Sequence, residues 1–92
     1  MRLDGIGRRV IEGRIEEGQF KQGLQDGCGR TIFESGDVYE GDWKDDKQHG
    51  HGKYVWNDGD VYEGDWKDGD MHGHGKKVHL NGKVEEGRWE HD

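Results

Sequence analysis

Aromatic and polar residues alternate along two short segments in the middle of the chain. On an extended strand, segment 38–43 would place two aromatic residues and a glycine on one face, and segment 50–56 would place two aromatic residues and two glycines there. The polar loop 45–48 separates the two segments, and Asn57-Asp58-Gly59, a strong tight-turn signal, follows the second. The pattern predicts a β-hairpin that another short turn joins to the next hairpin.

This hairpin pattern recurs with a fixed period. The ten residues that begin at Gly36 are identical to the ten that begin at Gly59, 23 residues later. All 18 glycines fall into columns of this period or into a leading half-copy that is one residue shorter. The period therefore divides the chain into a half-copy over 1–15, repeats over 16–38, 39–61 and 62–84, and a truncated copy over 85–92.

The glycine content decides between helical and strand repeats. Each glycine in a helix interior would cost about 0.5–1 kcal/mol, which excludes a helical repeat here. We expect an all-β fold, an extended twisted antiparallel meander of stacked 23-residue β-hairpin repeats, with about eight strands and no helix. Bare glycine backbone on one strand would let an aromatic ring from the adjacent strand lie across it.

Composition bears on whether such an array is ordered. Hydrophobic residues make up 27% of the chain and charged residues 38%, and the net charge is -7, which borders on the values of disordered proteins. Stacked repeats need no large enclosed core, because each unit buries area only against its neighbours. The four Trp, three Tyr and two Phe residues supply that contact area, so we expect an ordered array.

The repeated motif resembles a known family. Residues 62–75 contain Tyr-Glu-Gly-x-Trp followed by Gly-x-x-x-Gly-x-Gly, and at a 23-residue period this pattern is similar to the MORN repeat (membrane occupation and recognition nexus) over nearly the whole chain. Glu16 and Glu85 stand where the family has tyrosine. Phe20 replaces the tryptophan, and Asp46 replaces a loop glycine. These departures weaken the terminal units without threatening the fold.

The resemblance implies a binding or scaffolding element. In junctophilins, radial-spoke components of cilia, parasite cytoskeletal scaffolds and certain phosphatidylinositol phosphate kinases the repeats are non-catalytic, and lipid binding has been proposed for several. We therefore interpret the chain as a non-enzymatic protein-interaction or scaffold module in a cytoskeletal or ciliary assembly. The alternative is a peripheral phosphoinositide-binding or regulatory module of a lipid-signalling protein. With no apolar N-terminal run, the expected location is cytoplasmic, and the cytoskeleton or cilium is suggested by family association.

The distribution of charge bears on the choice of partner. The whole net charge of -7 lies in residues 36–92, and no run of basic residues is longer than Arg8-Arg9 or Lys76-Lys77. Each Lys or Arg near an anionic membrane contributes about 1 kcal/mol, but acidic neighbours cancel that gain here. Membrane phospholipid is therefore disfavoured and nucleic acid is not expected, which leaves a protein partner or a larger complex.

The aromatic-and-glycine face is the predicted partner-binding surface. Its anchors are Tyr39, Trp43, Tyr54, Trp56, Tyr62 and Trp66. The alternative is that the same rings hold neighbouring strands together. Incomplete copies at both ends predict unpaired strand edges, and hence a homo-dimer through repeats or sheet edges, or docking into a larger complex by strand addition. A fragment of a longer array is a third alternative.

No metal, cofactor or catalytic site is predicted. His49 and His51 form a His-x-His pair, and the pair recurs at His72 and His74. Equivalent strands of successive repeats lie roughly 9–10 Å apart, at about 4.8 Å per strand, which is too far for both pairs to bind one zinc. Cys28 occupies the repeat position that a histidine holds in the next copies, so it is not expected to be a nucleophile. The repeated carboxylates are interpreted as solvent-side residues.

Overall fold

The structure is a computed structural model that describes residues 4–90. Eight strands form one sheet and pair antiparallel in chain order. They are β1 (Gly5–Ile11), β2 (Arg14–Lys21), β3 (Leu24–Ile32), β4 (Val38–Lys44), β5 (Lys47–Val55), β6 (Val61–Lys67), β7 (Asp70–Val78) and β8 (Val84–Trp89). The predicted all-β antiparallel meander of hairpins is confirmed, and the described residues contain no helix.

Two kinds of turn join the strands. Two-residue turns close four of the connections, and the one between β4 and β5 consists of Asp45 and Asp46, with φ of 50° and 67°. Positive φ at both central residues is the hairpin geometry that matches strand twist. The predicted loop 45–48 was therefore too long, because Lys47 and Gln48 already belong to β5. The predicted turn at Asn57-Asp58-Gly59 lies within the longer connection between β5 and β6.

Residues of one kind meet across every strand pair and form rows that cross the sheet. The clearest row contains a glycine from each strand: Gly7, Gly18, Gly29, Gly41, Gly52, Gly64, Gly75 and Gly87. Along this row the aromatic side of the sheet carries bare backbone. Rings can therefore reach the main chain of the neighbouring strand, as the sequence predicted.

The core lies on the glycine side of the sheet, which we call the aromatic face. It consists of Tyr39, Trp43, Tyr62, Trp66 and Met71, all buried. A single sheet has no second layer to cover this face, so the rings cover the backbone and one another. The aromatic face therefore takes the place of an enclosed core.

Each even-numbered inner strand meets its successor with a β-bulge. Gly41 pairs with Gly52, but Trp43 pairs with Gln48, so β5 carries two extra residues at this point. The bulge frees a main-chain N–H, and Asp42 accepts it through its carboxylate, from His51 N at 3.3 Å. Asp65 accepts the N–H of His74 in the next repeat, at 3.2 Å, and Gln19 accepts that of Cys28, at 2.8 Å. The aspartates thus have a structural role in addition to facing solvent.

The opposite face, which we call the ladder face, carries two further rows. One is aliphatic: Val10, Ile15, Ile32, Val38, Val55, Val61, Val78 and Val84. The other alternates in charge at every step and is the charge ladder: Arg8, Glu17, Arg30, Glu40, Lys53, Glu63, Lys76 and Glu86. Opposite charges directly across antiparallel strands contribute about 0.2–1 kcal/mol per pair, so the ladder supports the register of the sheet.

Candidate interaction groove

Five rings form a continuous line of edge-to-face contacts along the aromatic face. The Tyr39 ring centroid lies 5.0 Å from that of Trp43 and 5.2 Å from that of Trp66. The Tyr62 centroid lies 5.3 Å from that of Trp66 and 5.6 Å from that of Trp89. Edge-to-face pairs at such distances contribute about 0.5–1.5 kcal/mol each beyond area burial. The line therefore links successive repeats and makes the face rigid.

The polar atoms of these rings bind the main chain. The Tyr39 hydroxyl donates to the carbonyl of Asp42 and the Tyr62 hydroxyl to that of Asp65, both at 3.0 Å. Trp66 Nε1 donates to the carbonyl of Gly52 at 3.1 Å. Burial, together with the negative charge of Asp42, raises the pKa of Tyr39 well above its usual range. Tyr39 and Tyr62 have no exposed surface, so their role in any site is to position other groups.

A second set of rings lies closer to solvent. Tyr54 is half-buried between Phe33, whose ring stacks on it at 5.9 Å, and Trp56, at 4.8 Å. The Tyr54 hydroxyl donates to the Asp37 carboxylate at 2.8 Å. Burial, this hydrogen bond and the charge of Asp37 raise the pKa of Tyr54. Lys77 Nζ lies 4.6 Å from the centroid of Trp56, a cation–π contact on the outer side of the cluster.

These rings border an open cavity of about 370 Å³ on the aromatic face, which we call the groove. Its walls and floor are formed by Arg14, Glu16, Thr31, Phe33, Trp43, Asp46, Gln48, Tyr54, Trp66 and Gly69. Aromatic rings lie along one part of the groove and charged groups along the other. Such a mixture can hold an extended chain segment, since rings provide contact area and polar groups fix orientation.

The charged end of the groove is an ion-pair network. Glu16 is buried, and its carboxylate contacts Arg9 Nε at 2.6 Å and Arg14 Nε at 3.2 Å. Arg9 also reaches Asp46 Oδ1 at 3.2 Å, and that oxygen accepts the main-chain N–H of Gln25 at 2.7 Å. Partial burial acts to lower the pKa of Arg9, but Glu16 and Asp46 outweigh it and raise that pKa. Two departures from the repeat pattern, at positions 16 and 46, are thus joined through Arg9.

The structure brings only part of the predicted surface to the groove. Trp43, Tyr54 and Trp66 line it, and Trp56 packs against Tyr54 at its side. Sequence reasoning did not identify Phe33, although Phe33 stands 23 residues before Trp56 and so shares its repeat position.

The charged lining residues were also missed by sequence reasoning. In the sequence, Glu16 and Asp46 are recognisable only as departures from the repeat, and nothing marks Arg14 or Gln48 as part of a surface. Their meeting at the groove depends on strand register, which the repeat period does not determine.

The histidine pairs do not assemble a metal site in the described part of the chain. His51 lies on the ladder face, with its ring nitrogens 3.9 Å from the carboxylates of Glu63 and Asp65. Within residues 4–90, no three His, Cys, Asp or Glu side chains are grouped so that they could hold a metal ion. The Cys28 thiol is exposed. Residues 4–90 also contain no helix that is long and apolar enough to cross a membrane.

These features define a class of protein: a repeat protein made of one open antiparallel sheet, with a rigid aromatic face and a charged opposite face. Three consecutive segments, 17–38, 39–61 and 62–84, match the family model described as the MORN repeat, and the chain belongs to the MORN-repeat family. Repeats of this family mediate protein or membrane-lipid interactions and are generally non-enzymatic. No curated protein matches the chain.

Proposed function

We propose that the chain is a non-enzymatic scaffold module that binds an extended protein segment in the groove. The observation that carries this proposal is the pairing of half-buried rings, Phe33 and Tyr54, with a rigid floor formed by Trp43 and Trp66. Rigid aromatic anchors surrounded by polar groups are the usual composition of protein-binding surfaces.

A lipid headgroup is the second candidate, and the charges of the sheet make it weaker. An anionic headgroup needs cations that are not already neutralised. The bases of the charge ladder each face an acid, as Arg30 faces Glu40 at 3.8 Å, and Arg9 and Arg14 at the groove contact Glu16. Each base of the charge ladder thus lies opposite a carboxylate, and the two arginines at the groove share one.

Selection of binders from a display library of random peptides tests the groove directly. We expect to select peptides that bind the wild-type chain but neither of two variants. Phe33→Ala removes a wall of the groove, and Gln48→Trp fills the groove. Lys53→Trp, which adds the same bulk on the ladder face, is the matched control and is expected to keep binding. Peptides that bind all four proteins equally, or a failure to select any peptide, would overturn the proposal.

Co-sedimentation with liposomes at physiological salt tests the lipid alternative. Vesicles with and without phosphoinositide are compared, and we expect the chain to stay in the supernatant with both kinds of vesicle. Pelleting that depends on phosphoinositide would replace the scaffold proposal with the lipid-signalling one.

The proposed cytoskeletal or ciliary location within the cytoplasm is tested with a fluorescent fusion in ciliated cells. Uniform diffusion of the fusion through the cell would contradict that location.

A further inference from the structure

Two of the rows that cross the sheet end in opposite charges at its two edges. Within residues 4–90, β1 pairs only with β2 and β8 pairs only with β7. The charge ladder begins with Arg8 on β1 and ends with Glu86 on β8. The neighbouring row on the aromatic face begins with Arg9 and ends with Glu85. One edge strand therefore carries two adjacent bases and the other two adjacent acids. The inner base, Arg9, also contacts Glu16 and Asp46 within its own sheet. Glu85 likewise contacts His79 and Lys83, so the ladder residues Arg8 and Glu86 are the main charges at the edges.

The sheet itself shows how a further strand would pair with β8. By the repeat period β8 corresponds to β6, and β1 corresponds to β7. The observed β6–β7 register includes the pairs Val61–Val78, Tyr62–Lys77, Glu63–Lys76 and Gly64–Gly75. A second copy whose β1 took the place of the strand after β8 would give the pairs Val84–Val10, Glu85–Arg9, Glu86–Arg8 and Gly87–Gly7. Each of these pairs joins two valines, two oppositely charged residues or two glycines.

From this match we propose that the β1 edge of one copy adds to the β8 edge of another, so that the sheet continues head to tail. The main-chain groups of two open strand edges supply the pairing, as in strand addition generally. Side chains supply the register, because the aliphatic row, the charge ladder and the glycine row all continue unbroken across the junction. The proposal concerns the edges and is independent of the groove.

The exposed valines on the two edge strands are consistent with the proposed junction. Val10 is 64% exposed and Val84 is 51% exposed, whereas Val78, next to the edge, is 37% exposed and the other inner members of the aliphatic row are half-buried. A strand added at either edge would cover the terminal valine in the way that Val38 and Val61 are already covered. The new contact thus extends an existing pattern of burial.

Pairing of like edges is disfavoured by the same charges. Two β1 edges would bring Arg8 and Arg9 against the same residues of the other copy, and two β8 edges would bring Glu85 and Glu86 together. Like charges placed across antiparallel strands are destabilising. The favoured contact is therefore heterologous, and a heterologous contact that does not close into a ring produces an open filament.

Sedimentation velocity over a concentration series tests the assembly with five proteins. The wild-type chain is expected to increase in average mass with concentration, and less so at high salt. Arg8→Glu and Glu86→Lys each place like charges at the junction and are expected to raise the concentration at half-association by about tenfold or more, the effect of exchanging a favourable pair for an unfavourable one. The matched controls, Arg30→Glu and Glu40→Lys, make the same charge changes on inner strands and are expected to associate like the wild type.

Mixing the two edge variants distinguishes head-to-tail from like-edge pairing. In the mixture every junction can again place a base opposite an acid, so association is expected to recover although each variant alone associates more weakly than the wild type. Circular dichroism of each variant verifies that the sheet is intact. A wild-type chain that stays at single-chain mass, edge variants that associate like the controls, or a mixture that does not recover would each overturn the proposal.

Discussion

The ring of Tyr39 on β4 lies across Gly52 on β5 and fills the space that a side chain at position 52 would need. Tyr62 and Gly75 repeat this relationship one repeat later. The φ of Gly52 lies outside the left-handed region, so glycine is required there for space and not for backbone freedom.

Gly52→Ala is expected to lower the free energy of unfolding by about 2–3 kcal/mol, the cost of overpacking a well-filled site. Urea denaturation measures the loss. Tyr39→Phe removes the hydroxyl closest to the added methyl group, so the cost of Gly52→Ala should be smaller in the Tyr39→Phe background. Fully additive effects of the two substitutions would show that ring and glycine do not compete for this space.

Two tryptophans at the same repeat position differ in one hydrogen bond. Trp66 Nε1 donates to the carbonyl of Gly52, whereas Trp43 Nε1 is buried without an acceptor among the described residues. Trp66→Phe is therefore expected to cost about 1–2 kcal/mol more than Trp43→Phe, since only the first leaves a buried carbonyl without its donor. Thermal unfolding followed by circular dichroism compares them, and equal losses would contradict the difference in bonding.

Removing the charge of Glu16 should disrupt the network at the charged end of the groove. Glu16→Gln leaves Arg9 and Arg14 without their shared carboxylate, and we expect a loss of about 1–3 kcal/mol in the free energy of unfolding. Glu17→Gln, at the adjacent, half-exposed position opposite Arg8, is the matched control and should change stability by less than about 0.5 kcal/mol. Similar losses for both would show that burial of Glu16 does not matter.

Because of the buried tyrosines, the stability of the fold depends on pH in the alkaline range. Burial, with nearby aspartate charge, raises the pKa of Tyr39 and Tyr54 above the unfolded value of about 10. The folded chain therefore holds these protons to higher pH than the unfolded chain does. The contribution of these tyrosines to the free energy of unfolding should be constant up to about pH 9 and should fall as the pH rises above about 10.

Tyrosinate absorbance and urea denaturation across this range measure the effect together. Tyr54→Phe should make the fall in stability shallower, because one raised pKa is removed. Formation of tyrosinate by all three tyrosines near pH 10 with the sheet still intact would contradict the assigned burial.

The periodic part of the structure could be predicted from the sequence. Because the glycines and aromatic residues recur every 23 positions, strand number, hairpin order and the division of Tyr39 and Val38 between two faces follow from alternation alone. The placement of a ring over Gly52 also follows, since only glycine leaves bare backbone there. These features are local or repeat exactly with the period.

The charged end of the groove depends on strand register, which the alternation of side chains does not determine. The bulge between Gly41 and Trp43 changes which residues face each other, and it brings Gln48 to the groove. The contact between Arg9 and Asp46 joins residues 37 positions apart, across several strands. Asp46 replaces the glycine of its repeat position, so the other repeats have no counterpart of this contact and the period does not predict it.

The most direct test of the proposed function is an amide chemical-shift map of the chain with a peptide selected from the library. We expect the largest shifts to fall on residues around the groove, including Phe33, Gln48 and Tyr54, and the charge ladder to change little. Shifts concentrated on Glu40, Lys53 and their ladder neighbours, with an unperturbed groove, would show that the ladder face binds the peptide and would contradict the proposed function.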